Sequence, residues 1–260
     1  MNATFAIAGA TFGEAVRKRI LMVILLVALL IILISPAFEP FAAGRGARTL
    51  IISFGFGVIQ LAGTFIAIIM CTSMIPTEIE RRTIYTILSK PVQRYQFVLG
   101  KFLGAVGTLA FMYLMMGIVF LIASRMALGE FDPKIIRGLI MFFFQSSLLA
   151  AVVLFFSTFV SPLVNYFLSG GVFLLGNLLS SFLETIQRNP EVTPLTRIPV
   201  QLLTLILPNF ASFNVQNPII NPEQVLVDET AYLVQTVGYA IVYMALLLVA
   251  SMLIFNQREM

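Results

Sequence analysis

Two long runs without a charged residue frame the most polar stretch in the first half of the chain. The runs are Thr49–Thr77 and Phe102–Ser124, and the polar stretch between them is Glu78–Lys101. A helix needs roughly 20 apolar residues to cross a bilayer, so each run is long enough to span a membrane. The polar stretch, which we call the island, is therefore predicted to lie at one membrane face between two spans.

The composition indicates the same class of protein. Only 11% of the 260 residues are charged and 59% are hydrophobic, whereas a soluble domain carries about 25% charged residues. The net charge of +4 is small for a nucleic-acid-binding protein, so we expect no nucleic-acid partner and interpret the cations as topology signals. Histidine is absent and Cys71 is the single cysteine, so the sequence predicts no metal site.

The predicted fold is all-α, with one polytopic membrane domain over residues 1–260. The predicted transmembrane helices are the six segments 20–38, 50–75, 97–124, 138–160, 165–183 and 231–255. Ser161-Pro162, followed by Asn165, supplies the turn between the fourth and fifth spans because proline breaks the apolar run.

Residues 1–19 precede the first predicted span. Phe5, Ala8, Phe12 and Val16 share one face of a helix, and the segment ends in three consecutive cations at 17–19. This pattern is typical of an amphipathic helix that lies in the membrane interface. The alternative is a cytoplasmic extension of the first span with no separate role.

Residues 184–230 are rich in proline. Their apolar stretch Ile198–Leu207 ends at Pro208 after about half the length that a span requires. We expect short re-entrant helices between spans five and six, protected by protein contacts. One hypothesis makes Leu203, Leu207, Pro208 and Asn209 an external gate at the outer mouth of a path through the membrane. The other makes the stretch a surface loop that only shields the fold.

The distribution of cations predicts the orientation. With a cytoplasmic N-terminus, the inside segments hold the nine cations Arg17, Lys18, Arg19, Arg81, Arg82, Lys90, Arg94, Lys101 and Arg258. Two clusters of these lie beside spans one and three, where the positive-inside rule weighs most. We therefore predict a multi-pass protein of the plasma or inner membrane with both termini cytoplasmic. Arg45, Asp132, Glu191 and the region 184–230 are expected to be external.

No phosphate-binding loop of the type GxxxxGK[ST] occurs, and no catalytic cluster is visible, so the chain is predicted not to be an enzyme and to bind no cofactor. The predicted spans contain no acid, and the polar residues in their interior, which include Gln60, Thr64 and Asn177, are not ionisable. An ion-coupled carrier usually shows a buried acid in a span, so its absence here indicates that another subunit supplies the driving force. These three side chains either line a substrate path or hydrogen-bond between helices.

The island and the residues after it read EIERRTIYTILSKPVQRYQFVLGKFLG, from Glu78 to Gly104. This stretch resembles the signature of permease subunits of ATP-binding-cassette (ABC) transporters of the type-2 exporter class. The matching positions are Glu78, Glu80, Thr83, Ile87-Leu88, Pro91-Val92, Arg94 and Gly100-Lys101. Many members have glycine before the threonine, where this chain has Arg82. That variant is similar to the branch associated with multicopper-enzyme maturation.

The resemblance implies a mechanism. The loop at 76–96 would carry a coupling helix, at about Thr77–Ser89, that binds a separate ATPase subunit. The second, short coupling element would be Val160–Asn165. The residues implied to couple to the ATPase are Thr77, Glu78, Ile79, Glu80, Arg81, Arg82, Thr83, Tyr85, Ser161 and Pro162.

The same resemblance implies the partners. Two ABC ATPase subunits, which bind ATP and Mg²⁺, would assemble with two permease chains as a homodimer or heterodimer within the bilayer. Spans two and five would line the substrate path between the permeases, which is where the resemblance places Gln60, Thr64 and Asn177. Two other classes stay open from the residues alone: an ion-coupled secondary carrier and a membrane scaffold or assembly subunit.

Overall fold

The computed structural model describes residues 3–37, 46–80, 93–129, 132–188, 198–199, 202–204, 206–214 and 229–257. Within these residues the secondary structure is entirely helical. The helices are α1 (Ala3–Arg17), α2 (Arg19–Ile34), α3 (Ala47–Thr72), α4 (Pro76–Glu80), α5 (Arg94–Leu128), α6 (Pro133–Ser157), α7 (Pro162–Arg188) and α8 (Glu229–Gln257), with a 3₁₀ turn at Ala211–Phe213. The all-α prediction is thus confirmed for this part of the chain.

Six helices of the described residues are long and apolar enough to cross a membrane, as predicted. They are α2, α3, α5, α6, α7 and α8. Their ends differ from the predicted ones by a few residues; the third, for example, runs from Arg94 to Leu128, where 97–124 was expected. Its extra turns are polar at the N-terminus, and Gly129 in the left-handed conformation ends it.

The long helices alternate in direction, so the bundle has two ends. Arg94, at the start of α5, contacts the last turn of α8, while Arg48 and Asp132, at the starts of α3 and α6, contact each other. We call the first the island end and the second the Asp132 end. The turn at 158–161 joins α6 to α7, and the turn at Lys18 joins α1 to α2. Both turns lie at the island end.

The core of the bundle is formed by α3, α5 and α6. The ring of Phe56 in α3 packs edge-on against Phe120 of α5 at 5.5 Å and Phe142 of α6 at 5.4 Å. Glycine allows this approach: a Cβ at Gly55 would lie 2.1 Å from the Phe120 ring, and one at Gly138 would lie 2.4 Å from Phe56. Small residues thus set the spacing of these three helices.

The N-terminal helix α1 packs along the first half of α5. Thr4 and Ile7 cover Gly100, and Ala8 and Thr11 cover Gly104, so these two glycines of α5 let α1 approach closely. The most buried residues of α1 are Thr11 and Ala15, whereas Phe5 and Phe12 are 66% and 36% exposed. Phe12 still contacts α5, because its ring packs edge-on against Phe111 with 6.2 Å between ring centres. The predicted apolar face of α1 therefore lies partly against α5 and partly outward.

Lys18 separates α1 from α2. Its backbone is extended, with φ −66° and ψ 115°, so the helix axis changes direction there. The turn predicted at Ser161-Pro162 is present, and α7 begins at Pro162. Asn165 lies inside α7, where it is fully buried and its amide donates to the Val153 carbonyl of α6 at 3.1 Å. It joins the two helices and is not part of the turn.

Candidate functional site

A buried ion pair joins the first residues of the island to α5. The Lys101 Nζ atom lies 2.7 Å from the Glu78 Oε1 atom, and the two side chains are 7% and 19% exposed. The Lys101 ammonium also lies 5.6 Å from the centre of the Phe97 ring. Charges this deep require pairing, because an isolated charge out of water costs many kcal/mol. The pair therefore holds the short helix α4 against the second turn of α5.

The local sequence explains why these two groups meet. The turn at Ser73–Ile75 ends α3, and Pro76 starts α4, where proline is tolerated because the first amide of a helix has no partner. Gln93 caps α5 reciprocally with Gln96, which fixes the start of that helix. Lys101 follows two turns later, on the side that faces α4.

Arg94, the basic residue of the island next to this cap, bonds to the far end of the chain. Its guanidinium donates to the backbone carbonyls of Phe255, at 3.0 Å, and Asn256, at 3.2 Å. Phe97 stacks on Phe255 with 5.9 Å between ring centres. A cation is favourable at a helix C-terminus, where the helix dipole is negative. The end of the island is thereby attached to the last turn of α8.

A small cavity of about 120 Å³ lies between α1, the α3–α4 turn and α5. The Glu78–Lys101 pair forms one wall, and Thr11 and Thr77 contribute others. The Thr11 hydroxyl is buried and has no hydrogen-bond partner among the described residues. The volume is that of about four waters.

The other residues implied to couple to an ATPase are only partly described. Thr77 and Glu78 are half-buried at the island end. Ile79 and Glu80 continue the backbone of α4. Arg81, Arg82, Thr83 and Tyr85 lie outside the described residues. Ser161 and Pro162 lie at the same end of the bundle, between α6 and α7.

The residues placed on the substrate path make internal hydrogen bonds. Gln60 donates from Nε2 to the Gln145 Oε1 atom of α6 at 3.2 Å, and the Thr64 hydroxyl donates to the Gln60 carbonyl at 2.8 Å. The Asn177 amide donates to the Phe173 carbonyl within α7 at 2.8 Å. Gln60 thus connects two helices, whereas the bonds of Thr64 and Asn177 stay within their own helices.

Residues 206–214 enter the bundle, and we call them the inserted segment. They comprise the end of a helical turn at 206–207, non-helical chain at 208–210 and the 3₁₀ turn. The Phe210 carbonyl accepts from Gln145 Nε2 at 2.8 Å, and the Phe210 amide donates to the Gly176 carbonyl at 3.1 Å. Gln145 and Gly176 stand at the middle of α6 and α7, as Gln60 does in α3. The segment therefore reaches the mid-depth of the bundle.

Three tyrosines of α8 hold the inserted segment from the other side. Tyr232 donates to the Ser212 carbonyl at 2.8 Å and Tyr243 donates to the Ile206 carbonyl at 2.6 Å. The Tyr239 hydroxyl accepts from the Asn209 amide at 3.0 Å. These partners satisfy backbone groups that hydrocarbon cannot, which is what irregular chain at membrane depth requires. We call this set the tyrosine ladder.

The sequence interpretation missed the tyrosine ladder, although a signal was present. Three of the seven tyrosines of the chain lie in α8, at spacings of seven and four residues that place them on one helical face. Three aligned hydroxyls in an otherwise apolar span indicate a polar partner at that face. The identity of the partner could not be read from this pattern.

The residues of the hypothetical gate take different positions. Leu203 is 41% exposed, whereas Leu207 packs against the core. Pro208 is buried and Asn209 is exposed. The closest approach is at Gly176, where a Cβ would lie 2.4 Å from the Pro208 carbonyl oxygen and 2.6 Å from the Phe210 ring.

Ion pairs also close the Asp132 end. The Arg48 guanidinium donates to Asp132 at 2.9 Å, and Glu229 pairs with both Arg137 and Lys134. Burial by itself would raise the pKa of Asp132, but the hydrogen bond and charge of Arg48 and the Lys134 amide outweigh it and lower that pKa. Asp132 is also the N-cap of α6.

Within the described residues no group of three or more His, Cys, Asp or Glu side chains could hold a metal ion. The polar groups described at mid-depth are amides and hydroxyls. They can donate and accept hydrogen bonds, but they carry no charge.

Comparison with known proteins adds no relative. No family model matches the chain, and no curated protein matches it. Any functional assignment therefore depends on the residues of the island and on the geometry just described.

Proposed function

We propose that this chain is the membrane-spanning permease subunit of an ATP-driven exporter of the ABC type-2 class. One observation carries the proposal. Those residues of the family signature that the structure describes are attached to the spans on both sides of the loop: Glu78 pairs with Lys101, and Arg94 bonds to the end of α8. Six apolar helices of spanning length are in accord with such a subunit.

The proposed role of this unit is to pass movement from a partner to the spans. The expected coupling helix begins at Thr77, and its residues 81–92 lie outside the described ones. On either side of them the chain is held to α5 and α8. A force applied to the loop by an ATPase would therefore act on two spans at once, in addition to α3, which leads into α4.

In this proposal the island end faces the cytoplasm. Arg17, Lys18, Arg19, Arg94 and Lys101 lie at that end, in agreement with an excess of cations on the inner side. The inserted segment then enters from the external side and serves as a gate between two permeases. Its attachment to α6, α7 and α8 gives movements of those helices a direct route to the gate.

The first experiment tests the partner. The chain is purified from its native membrane in mild detergent, and co-purifying proteins are identified by mass spectrometry together with ATP hydrolysis. We expect an ABC ATPase in a one-to-one ratio and hydrolysis that depends on it. Recovery of the intact chain without an ATPase would contradict the proposal.

The second experiment tests the coupling site. Glu80→Arg combined with Arg81→Glu is expected to reduce transport-coupled ATP hydrolysis without a change in membrane insertion. Arg125→Glu is the matched control, because Arg125 is an exposed arginine at the other end of α5. Equal losses in both variants, or none in either, would count against a docking role of the island.

Orientation is tested by labelling single cysteines with a membrane-impermeant reagent in a Cys71→Ser background. Cys71 is fully buried, so its replacement leaves the surface unchanged. Lys90→Cys should be protected in intact cells, and Arg45→Cys should be labelled. The reverse pattern would invert the proposed orientation.

A further inference from the structure

A second cavity lies where the inserted segment meets α8, and its chemistry differs from that of the cavity at the island end. Its volume is about 310 Å³, within the range of about 300–1,000 Å³ that is usual for small-molecule sites. We call it the Gln235 groove. It is lined by Asn209, Ser212, Tyr232, Gln235, Thr236 and Tyr239.

The six lining side chains that the structure describes are all polar and uncharged. An ionised group would find no counter-charge among them and would lose its hydration without compensation. Donors and acceptors are both present, because carboxamides and hydroxyls each supply both. A hydroxyl-bearing group, which donates and accepts at the same atom, matches this lining.

Gln235 is the lining side chain whose hydrogen-bonding groups are available to a ligand. It is exposed and makes no hydrogen bond within the described part of the chain. It lies six residues into α8 from Glu229, a depth of about 9 Å along the helix. By contrast, Tyr232 and Tyr239 already bond to the inserted segment, and Tyr232 bonds to Thr236 as well.

An apolar track continues from Gln235 along the same face of α8. Gly238, Val242 and Leu246 follow at three, seven and eleven residues, which is one helical face. A Cβ at Gly238 would meet no atom within 4 Å, and Val242 and Leu246 are 62% and 64% exposed. The polar lining of the groove is therefore followed, on the same face of α8, by an exposed apolar strip.

We propose that the Gln235 groove binds an amphipathic molecule with an uncharged, hydroxyl-bearing head group. The head group would contact Gln235 and the Asn209 side chain, and the apolar part would lie along Gly238, Val242 and Leu246. As a holding site for cargo near the proposed gate, this inference rests on the proposed function and names the class of cargo.

The test uses the purified chain in nanodiscs of phosphatidylcholine and three radiolabelled probes with the same octyl chain. The probes are octyl β-glucoside, octyl sulfate and octyltrimethylammonium, each below its micellar concentration. We expect saturable binding of the glucoside above that of empty nanodiscs, with weaker binding of both charged probes. The measurement needs no ATPase, so its failure is distinct from a failure of the proposed function.

Gln235→Leu is expected to weaken glucoside binding about tenfold, the loss of a hydrogen-bonded contact. Gln257→Leu is the matched control, an exposed glutamine at the other end of the same helix, and should bind as the wild type does. Gln235→Glu should shift the preference towards octyltrimethylammonium. Thermal unfolding of all three variants should be unchanged, because neither Gln235 nor Gln257 makes a hydrogen bond within the described residues.

Three results would overturn the inference. They are equal glucoside affinity in the wild type and Gln235→Leu, equal binding of the charged and uncharged probes, and uptake that matches empty nanodiscs. If a second copy of the chain occupied the groove instead, native mass spectrometry would show a dimer. Gln235→Leu would dissociate that dimer, and the glucoside would not.

Discussion

The island end and the inserted segment are both places where the chain leaves regular helix, yet they are held by different interactions. At the island end the contacts involve charge: Glu78 with Lys101, and Arg94 with the carbonyls at the end of α8. In the inserted segment every bond described is between neutral groups, from Gln145, the Gly176 carbonyl and the tyrosine ladder.

Depth accounts for this difference. Water and lipid head groups solvate charge at the ends of the bundle, whereas at mid-depth an ion would lose its hydration and cost several kcal/mol. Amides and hydroxyls satisfy backbone groups there at lower cost. The contacts of the island end should therefore be sensitive to nearby charge, whereas those of the inserted segment depend on neutral hydrogen bonds.

The sharpest test of the ionic side is Glu78→Gln. It leaves the 7%-exposed Lys101 ammonium without its carboxylate, and the expected loss in free energy of unfolding is about 3 kcal/mol. Combined replacement with Lys101→Met should restore most of the stability, because no buried charge remains. Reaction of a thiol dye with Cys71, which is fully buried, reports unfolding on heating.

Glu14→Gln is the control for this pair, since Glu14 is 56% exposed and its carboxylate lies 3.8 Å from Lys18. An exposed pair should contribute less than about 1 kcal/mol. A similar effect of Glu14→Gln and Glu78→Gln would show that burial does not distinguish the two.

On the neutral side, the largest effect is expected from Gly176→Ala. The new Cβ would lie 2.4 Å from the Pro208 carbonyl oxygen, so the inserted segment must move. Crowding of this kind costs about 2 kcal/mol, and we expect transport to fall with it. The measurement is the unfolding midpoint in the thiol-dye assay.

Gly171→Ala, in the same helix, is the matched control. Its Cβ would meet no atom within 4 Å, so alanine should leave stability unchanged or raise it by up to about 1 kcal/mol. If Gly176→Ala behaves in the same way, the inserted segment does not pack against α7 as described.

A smaller effect is expected from Tyr239→Phe. The change removes the acceptor for the Asn209 amide without altering the packing of the ring, at a cost of about 1 kcal/mol. Tyr95→Phe should have no effect, because Tyr95 is 46% exposed and its hydroxyl has no hydrogen bond within the described residues. SDS titration in mixed micelles measures the difference between the two variants. Equal unfolding midpoints would show that the tyrosine ladder does not stabilise the fold.

The smallest expected effect is at the Asp132 end. Because the pKa of Asp132 is lowered by folding, the unfolded chain binds more protons, and the Arg48 pair stabilises the fold at neutral pH. That contribution is complete above the ordinary carboxyl pKa of about 3.9 and is lost as the pH falls through the lowered value. Arg48 is 54% exposed, so we expect less than about 1 kcal/mol.

Arg48→Met should therefore be slightly less stable than the wild type at pH 7, and the difference should shrink below about pH 4. SDS titrations of both proteins over this range measure it. A stability difference that grows on acidification would contradict this prediction.

Much of the fold was predictable because hydrophobic length is a local property. The uncharged runs at Thr49–Thr77 and Phe102–Ser124 identify two spans without any knowledge of their neighbours. The packing of α1 could not be predicted in this way. Phe5 and Phe12 mark an apolar face in the sequence, but the place where α1 meets α5 depends on Gly100 and Gly104 of a distant helix.

The site was predictable only where the chain itself brings residues together. Glu78 and Lys101 belong to one motif, so the sequence could draw attention to both, although not to their ion pair. Arg94 and the Phe255 carbonyl are 161 residues apart, and Gln145 and the Phe210 carbonyl are 65 apart. Backbone acceptors carry no sequence signature, so these contacts could not be inferred from residue types.

Residue types alone were enough to predict the helical structure of the described residues, six segments long and apolar enough to cross a membrane, and a charged motif between two of them. Apolar length and charge placement act residue by residue, so no tertiary contact is needed to read them. Only the tertiary structure decided which polar groups meet. The path of the inserted segment to mid-depth depends on Gln145, Gly176 and three tyrosines on three different helices, and such convergence exists only after the helices have packed.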